Sequence, residues 1–454
     1  MTTTRSRAQF AAALFAACPM LAGAAGAATA FTGPAVGPVP LEFILFACVL
    51  GGVAFFHHHT LRIALVGAIV IALYKIALSP FSTGAGAAGF IAHLGHEWVI
   101  LVNLLLLLLG FALLADIFEK SEVPAVLPRY LPDDWKGCFV LLALVFVLSS
   151  FLDNIAAAMI GGAIAHTVFK GKVHIGYIAA IVAASNAGGA GSVVGDTTTT
   201  MMWIAGISPL EVLEAFIGSG VALVIFGIPA ALKQQAYSPI QRDADAKAHV
   251  DWMRVGIVAF ILVTAIVVNV LANTLFASWS DAFPFLGAAV WVAILATMAL
   301  RKPNWGLIPG ATKGSIFLLS LVLCASMMPV ERLPTASWQT ALGLGFLSAV
   351  FDNIPLTALA LKQGGYDWGF LAYAVGFGGS MIWFGSSAGV ALSNMYPEAR
   401  SVGQWLRHGW FVAVAYVVGF FVMLALIGFH PGSKPKGSAA TPAPAVALAV
   451  AGVH

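Results

Sequence analysis

Long apolar stretches separated by short polar segments run through most of the chain, and they predict helices that cross a membrane. A crossing helix needs about 20 apolar residues. Eight stretches approach or reach that length: residues 41–56, 61–78, 98–118, 211–232, 255–275, 283–300, 314–330 and 406–429. The pattern therefore predicts an all-α polytopic membrane protein.

Four further apolar stretches are interrupted near their middle and do not fit simple spans. Residues 137–169 and 337–362 are each divided by an Asp-Asn pair, and each arm is too short to cross. We predict that both are re-entrant hairpins whose tips reach the membrane midplane. Residues 173–203 and 368–395 are long enough to cross, but they carry glycine clusters and hydroxyl side chains at their middle. They are predicted to be broken helices, which membranes tolerate where the freed backbone lines a cavity or is buried in protein.

The interrupting motifs occur twice, which predicts a two-fold internal repeat. Asp-Asn-Ile stands at 153–155 and again at 352–354. A Gly-Gly pair, five residues and a third Gly stand at 188–195 and again at 378–385. We therefore divide the chain into a first repeat, residues 41–232, and a second repeat, residues 255–429. A polar loop, residues 233–254, joins them.

The distribution of basic residues predicts the orientation of the repeats. The loops on one side hold 15 Lys and Arg residues and those on the other side hold 4, so the first side is predicted to be cytoplasmic. This topology makes the loop 233–254 cytoplasmic and opens the two hairpins toward opposite faces. Two similar units of opposite orientation form an inverted repeat, a common architecture of secondary transporters with a site at the midplane.

The two ends of the chain differ from the membrane-spanning part. Residues 1–30 begin with Arg5 and Arg7, continue with an apolar run and end in small residues, which predicts a signal peptide. The mature N-terminus is then periplasmic and the protein lies in a bacterial inner membrane. Residues 430–454 are predicted to be a weakly ordered tail.

Composition excludes an ordinary soluble domain. The chain is 60% hydrophobic and 9% charged, whereas a soluble domain carries about a quarter charged residues. Its four cysteines lie singly in apolar segments, which favours buried side chains over metal ligands or disulfides. Nothing in the chain predicts a nucleic-acid partner or a cofactor.

Three aspartates stand in the interrupted apolar segments, namely Asp153, Asp196 and Asp352. A charge at the membrane centre costs about 2.5–3.5 kcal/mol, so three cost roughly 8–10 kcal/mol together. Apart from Lys362, the last residue of the segment 337–362, the same segments contain no Lys or Arg that could neutralise them. The missing partner is predicted to be a mobile cation or a proton. The alternative is that the carboxylates only cap the ends of broken helices, and Asp196-Thr-Thr suits that role best.

Oxygen-bearing side chains surround the aspartates and suit a hard monovalent cation. The candidate cation- and proton-binding residues are Asp153, Asn154, Ser185, Asn186, Asp196, Thr197, Thr198, Asp352, Asn353, Ser386 and Ser387. Carboxylates that are buried together hold protons at a higher pH than in water, so such a group can exchange a proton for Na⁺ or Li⁺ near neutral pH.

These motifs resemble those of the NhaD-type sodium/proton antiporters, within the ion transporter superfamily that also holds citrate, dicarboxylate and arsenite carriers. The resemblance covers roughly residues 40–430. It implies exchange of cytoplasmic Na⁺ or Li⁺ for external H⁺, a homodimer, and elevator-like movement of a transport unit against a scaffold. It also implies that Na⁺ is bound by Asp153, Asn154, Asn186, Asp196, Thr198 and Asp352. One departure from the family pattern is that Ser386 stands where the first repeat has Asp196.

Three other functions fit some of the same features. A Na⁺-coupled citrate or dicarboxylate symporter shares the fold, but an aspartate at each hairpin tip would repel its substrate. An arsenite-type efflux carrier also shares the fold. An intramembrane aspartyl protease uses paired membrane aspartates, but its Gly-x-Gly-Asp signature fails because Val193 stands two residues before Gly195.

Overall fold

The computed structural model describes residues 33–56, 59–126, 131–241, 249–275 and 282–435, and this part of the chain is mostly α-helical. The predicted signal peptide, residues 242–248 of the predicted cytoplasmic loop and residues 436–454 of the predicted tail lie outside the described residues. A short antiparallel pair of strands, β1 (Ala35–Val36) and β2 (Val39–Pro40), precedes the first helix.

The first half of the chain forms ten helices within its described residues. They are α1 (Leu41–Phe55), α2 (Thr60–Leu78), α3 (Gly86–Glu119), α4 (Val123–Val126), α5 (Trp135–Ser149), α6 (Asn154–Val168), α7 (Ile175–Ala190), α8 (Thr197–Ile204), α9 (Pro209–Leu213) and α10 (Ala215–Tyr237).

The second half of the chain forms eight α-helices within its described residues. Its α-helices are α11 (Trp252–Leu275), α12 (Phe285–Thr297), α13 (Ile308–Ser326), α14 (Trp338–Ser348), α15 (Asn353–Gln363), α16 (Trp368–Gly378), α17 (Ser387–Met395) and α18 (Val402–Ile427). Short 3₁₀ turns lie at Trp305–Leu307, Val330–Arg332 and Pro397–Arg400.

Six helical segments among the described residues are long and apolar enough to cross a membrane, which confirms a polytopic membrane protein. They contain α2, α3, α9–α10, α11, α13 with its preceding turn, and α18. Two predicted simple spans fall short, because α1 has 15 residues and α12 has 13. Conversely, α3 has 34 residues and begins 12 residues before its predicted span. In this first part Gly89 and His93 are buried and the other residues are partly or fully exposed; His93 hydrogen-bonds Ser326 Oγ at 3.0 Å.

The helices pack into two bundles. The first bundle contains α1–α3 and α11–α13, and the second contains α5–α10 and α14–α18. The bundles meet where α13 packs against α15 and where α3 packs against α8. Within the second bundle, α6 packs against α17 and α15 packs against α8, so each half of the chain places a helix against the other half.

The interrupted segments are broken at the positions that the sequence indicates. The segment 137–169 divides into α5 and α6 immediately before Asn154, and the segment 337–362 divides into α14 and α15 immediately before Asn353. The segments 173–203 and 368–395 divide into α7 and α8 and into α16 and α17. Helices α7 and α16 lie at the centre of the second bundle, and nearly all of their residues are buried.

The repeated glycines allow the backbones of these segments to approach each other closely. A Cβ on Gly188 of α7 would overlap the carbonyl oxygen of Phe146 in α5. A Cβ on Gly378 of α16 would likewise overlap the carbonyl oxygen of Gly345 in α14. The same contact therefore recurs in both halves, which explains why the Gly-Gly motif occurs twice.

We expect Gly188→Ala and Gly378→Ala each to destabilise the protein by about 1–3 kcal/mol or more, because the added methyl group has backbone rather than a flexible side chain in its way. The measurement is the melting temperature of the detergent-solubilised protein, followed by size-exclusion chromatography after heating. Gly343→Ala in α14 is the matched control, since a Cβ there meets nothing within 4 Å. Equal melting temperatures for Gly378→Ala and Gly343→Ala would contradict the close approach.

Candidate functional site

Four helices begin at the breaks, and a candidate site residue caps the N-terminus of each. Asp153 accepts a hydrogen bond from Ile155 N of α6 at 3.2 Å, and Asp352 accepts one from Ile354 N of α15 at 3.0 Å. Asp196 accepts from Thr198 N of α8 at 3.2 Å. Ser386 takes the fourth position and accepts from Gly389 N of α17 at 3.2 Å. The capping role considered for the aspartates is thus realised in all three.

Capping a helix uses only part of the hydrogen-bond acceptor capacity of each carboxylate. The second oxygen of Asp352 accepts a hydrogen bond from Ser387 Oγ at 3.1 Å. The second oxygen of Asp196 faces Asn353 Nδ2 of the other half at 3.4 Å. No side chain of the described residues donates to Asp153. Each carboxylate therefore keeps acceptor capacity beyond its helix, because an ionised carboxylate offers about four lone-pair positions.

Asn186 connects the two halves of the chain at the centre of the site. Its side-chain oxygen accepts from Asn154 Nδ2 at 3.1 Å, and its side-chain nitrogen donates to Ser380 Oγ and Ser386 Oγ, both at 3.0 Å. Asn186 is fully buried, as are the neighbouring positions of α7. The bonds to Ser380 and Ser386 hold the break between α16 and α17 against α7. The bond from Asn154 holds α7 against the tip between α5 and α6.

Asp196 lies in the most enclosed part of the site. Only 2% of its surface is exposed, and the hydroxyl group of Thr198 is buried beside it. The carboxylates of Asp153 and Asp352 are near enough to interact electrostatically with that of Asp196. A hydroxyl oxygen next to a buried carboxylate is a ligand of the type that Na⁺ and Li⁺ prefer.

The loop that carries Asp196 is held by its own hydroxyl groups. Thr199 Oγ1 donates to Ser192 O at 2.5 Å, and Thr200 Oγ1 donates to Val193 O at 2.9 Å. Ser192 Oγ donates in turn to Ser150 O at 2.6 Å, which attaches this loop to the tip before α6. The threonine run therefore serves mainly to position Asp196.

Most of the candidate residues come together, and two do not. Side-chain hydrogen bonds join Asn154, Asn186 and Ser386 into one set, pair Asn353 with Asp196 and pair Ser387 with Asp352. Thr198 lies beside Asp196, and Asp153 caps α6. Ser185 instead donates its hydroxyl to Val182 O inside α7, and Thr197 makes no side-chain hydrogen bond among the described residues. The role of any of these residues in cation binding stays a prediction.

Ser380 belongs to the set of residues bonded to Asn186, and it was not among the residues predicted from the sequence. It lies within the repeated glycine motif and accepts from Asn186 Nδ2. The sequence gives no carboxylate or amide at this position, and the corresponding position in the first half is Ala190, so the repeat offers no signal either.

Basic groups are absent from the centre within the described residues. No Lys, Arg or His there hydrogen-bonds or ion-pairs with Asp153, Asp196 or Asp352. The same part of the chain contains no group of three or more His, Cys, Asp or Glu residues arranged to hold a metal ion. The centre thus combines carboxylates with neutral oxygens and amides.

Comparison with known proteins bears out the resemblance carried by the motifs. No protein-family model matches the chain. The chain is 27% identical over 399 residues to the Na⁺/H⁺ antiporter NhaD of Vibrio parahaemolyticus, covering 74% of this chain and 92% of that protein. It is 26% identical over 343 residues to NhaD of Halomonas elongata, covering 62% of this chain and 66% of that protein. The chain is a relative of the NhaD-type sodium/proton antiporters.

A plant protein shows the same similarity. Sodium/proton antiporter 1 of Arabidopsis thaliana is 26% identical over 358 residues, which cover 71% of this chain but only 59% of the plant protein. The chain thus spans less than two thirds of the length of this plant relative. All three of these relatives are named as antiporters, which are transporters and not enzymes.

We expect Asn186→Ala to destabilise the protein by about 1–3 kcal/mol, because the substitution leaves buried hydrogen-bonding groups of Asn154, Ser380 and Ser386 without their partner. The melting temperature of the solubilised protein measures this effect. Ser185→Ala is the matched control, since Ser185 is the preceding residue of α7, is equally buried and bonds only within the helix. If the two variants melted at the same temperature, Asn186 would not connect the two halves as described.

Proposed function

We propose that the protein exchanges cytoplasmic Na⁺ or Li⁺ for external H⁺ at the site that contains Asp153, Asp196 and Asp352. One observation carries the proposal. Three carboxylates converge at helix breaks inside the second bundle, and no basic side chain of the described residues neutralises them. The names of the relatives, which are sodium/proton antiporters, support the same reaction.

The exchange follows from the competition of two kinds of cation for the same oxygens. A proton arriving from outside neutralises a carboxylate and removes an oxygen from the Na⁺ site, so Na⁺ is released. On the cytoplasmic side Na⁺ binds the carboxylate and the surrounding oxygens, and the proton leaves. The residues proposed to hold Na⁺ are Asp153, Asn154, Asn186, Asp196, Thr198 and Asp352. Na⁺, Li⁺ and H⁺ are the cargo, and the exchange uses no cofactor.

The charges at the helix N-termini favour a cation over a carboxylate substrate. A helix N-terminus carries roughly half a positive charge and attracts anions. In the citrate and dicarboxylate carriers of the superfamily the hairpin tips bind substrate carboxylate. Here the carboxylates of Asp153 and Asp352 already occupy those N-termini. A citrate ion would meet two fixed negative charges where it needs positive ones.

The larger architecture is proposed on the same basis. Apart from the short helices α4 and α9, the eight helices of the first half are matched in order by α11–α18, which supports two repeats, and the distribution of basic residues supports their inverted orientation. The division into two bundles supports an elevator-like mechanism, with the second bundle as the moving unit. We propose a homodimer in a bacterial inner membrane, with the mature N-terminus in the periplasm.

We expect Asp153→Asn and Asp352→Asn each to abolish exchange while the protein remains folded and inserted. Asparagine is as good an N-cap as aspartate, so the substitution removes the charge but keeps the helix end. Asp196→Asn should at least raise the Na⁺ concentration needed for half-maximal exchange. The assay uses everted membrane vesicles with an imposed proton gradient, a pH-sensitive dye, and additions of NaCl, LiCl and KCl.

Asp134→Asn is the matched control, because Asp134 caps α5 of the same hairpin at the exposed end, accepting from Lys136 N at 2.9 Å. It should exchange Na⁺ like the unaltered protein. Retained exchange in Asp153→Asn or Asp352→Asn would remove that residue from the coupling mechanism. No response to the chlorides, with sodium-dependent uptake of labelled citrate instead, would make the protein an anion symporter.

A further inference from the structure

A cavity of about 290 Å³ connects the site to one end of the bundles. It lies between α1, α2 and α13 of the first bundle and α17 of the second. Asp352 and Ser387 line the end of the cavity at the site, and Thr60 and Asn394 line its opposite end. Ser387 and Asn394 are seven residues apart on α17, so the cavity extends about 10 Å along that helix.

One face of α17 forms a wall of this cavity. Ser387, Val390, Ala391 and Asn394 all line it, and their spacing of three, four and seven residues places them on the same side of the helix. The opposite side contains Ala388 and Leu392, both fully buried, and Leu392 faces α6 near Gly162. The polar groups of the wall are at its two ends, and the middle is apolar.

The end of the cavity that is farther from the site lies on the side that is predicted to be cytoplasmic. Thr60 is the first residue of α2, and Arg62 follows it within the same turn. Asn394 accepts a hydrogen bond from Arg400 Nη2 at 2.5 Å. Both arginines belong to the basic residues that define the inner face by the positive-inside rule.

Of the three site aspartates, Asp352 alone lines this cavity. Asp196 is 2% exposed, and neither Asp153 nor Asp196 is among the described lining residues. Asp352 and Ser387 are both half-buried, so the hydrogen-bonded pair that they form is in contact with the cavity. The next residue, Asn353, is buried and faces Asp196, so one residue separates the carboxylate at the cavity from the partner of the enclosed one.

The opposite end of α15 is closed against the first bundle. Lys362, near the C-terminus of α15, donates hydrogen bonds to the carbonyl oxygens of Ser326 and Met328 at the end of α13, the latter at 2.8 Å. Because the helix ends here, no following turn provides backbone N–H groups for these carbonyl oxygens, and the ammonium group of Lys362 donates to them instead. The hairpin α14–α15 is therefore attached to the first bundle at the end that is predicted to be periplasmic, while its tip faces the cavity.

We propose that this cavity is the cytoplasmic access route and that Asp352 is the carboxylate at which an ion from the cytoplasm is first bound. The identity of that ion rests on the Na⁺/H⁺ exchange proposed above. Asp196 is the inner carboxylate, reached through the Asn353 side chain. The apolar middle of the route offers no ligand that competes with Asp352, so the ion is not held before it reaches the site.

The test uses single cysteines in a variant whose four native cysteines, Cys18, Cys48, Cys138 and Cys324, are replaced by alanine. The probe is a membrane-impermeant maleimide, applied to everted vesicles and to right-side-out vesicles. We expect Asp352→Cys and Ala391→Cys to be labelled in everted vesicles and not in right-side-out vesicles. Asp196→Cys should not be labelled in either.

Ala388→Cys is the matched control, because it lies on the same helix, differs from Ala391 only in the face it occupies and is 0% exposed. It should not be labelled. Labelling of Ala391→Cys from the outside only, or equal labelling of positions 388 and 391, would overturn the route. Ala391→Cys is a small change at a wall position, so it tests the route even where a substitution of Asp352 prevents folding.

This measurement separates the access route from the antiport. Labelling requires no exchange, and exchange is measured in the cysteine-free parent, which keeps all three aspartates. The expected labelling of Ala391→Cys together with a parent that shows no Na⁺-dependent proton movement would contradict the exchange and support the route. An exchanging parent, with Asp196→Cys labelled in everted vesicles and Asp352→Cys unlabelled, would contradict the assignment of Asp352 as the first carboxylate.

Discussion

A helix that begins inside a membrane protein leaves backbone N–H groups that must find acceptors, because no water is present to accept their hydrogen bonds. Four helices of this protein, α6, α8, α15 and α17, begin in this way at the centre of the second bundle. Three aspartates and one serine meet that need. The repeated glycines serve the same arrangement, because the breaks can lie together only where α7 and α16 touch the hairpin backbones directly. The fold thus requires capping side chains at these positions, and where the cap is an aspartate we propose that a cation or a proton balances its charge.

The two halves build this centre from similar parts but do not make it symmetric. Asp196 caps α8 in the first half, whereas Ser386 caps α17 in the second. Because Ser386 is neutral and its hydroxyl can accept, it binds the amide nitrogen of Asn186 from the other half. A second aspartate there would add a fourth negative charge within reach of the other three. The asymmetry therefore lowers the negative charge that the proposed cations would have to balance and leaves Asp196 as the enclosed carboxylate.

The sequence was sufficient for the parts of the fold that depend on local chemistry. The breaks before Asn154 and Asn353 and within the glycine motifs follow from Asp, Gly and Ser/Thr in apolar segments, and the structure breaks the helices there. Features that depend on packing were not predictable. Glu42 stands at the start of an apparent span, yet it is fully buried and accepts from Ser79 Oγ at 2.5 Å. Ser380 joins the site only because α7 brings Asn186 to it.

The C-terminal segment illustrates the same limit. The predicted tail begins at residue 430, and residues 430–435 are described by the structure. His430 N donates to Asp367 at 2.8 Å, and Ser433 Oγ donates to Glu211 at 2.7 Å. These bonds attach the segment to the ends of α16 and α9. Nothing in its polar composition indicates such partners, because they are supplied by residues more than 60 positions away.

The environment of the carboxylates also explains why the two ion flows are expected to be coupled. An unneutralised charge in an apolar setting costs about 2.5–3.5 kcal/mol at the membrane centre, so a site that holds neither ion is disfavoured during movement. A site that holds Na⁺ or protons is neutralised and is free to move. In the proposed elevator-like mechanism, the second bundle therefore changes sides with one cargo or the other and seldom without either. Exchange then needs no separate gate that senses both ions, because the electrostatic penalty on Asp153, Asp196 and Asp352 itself enforces the alternation.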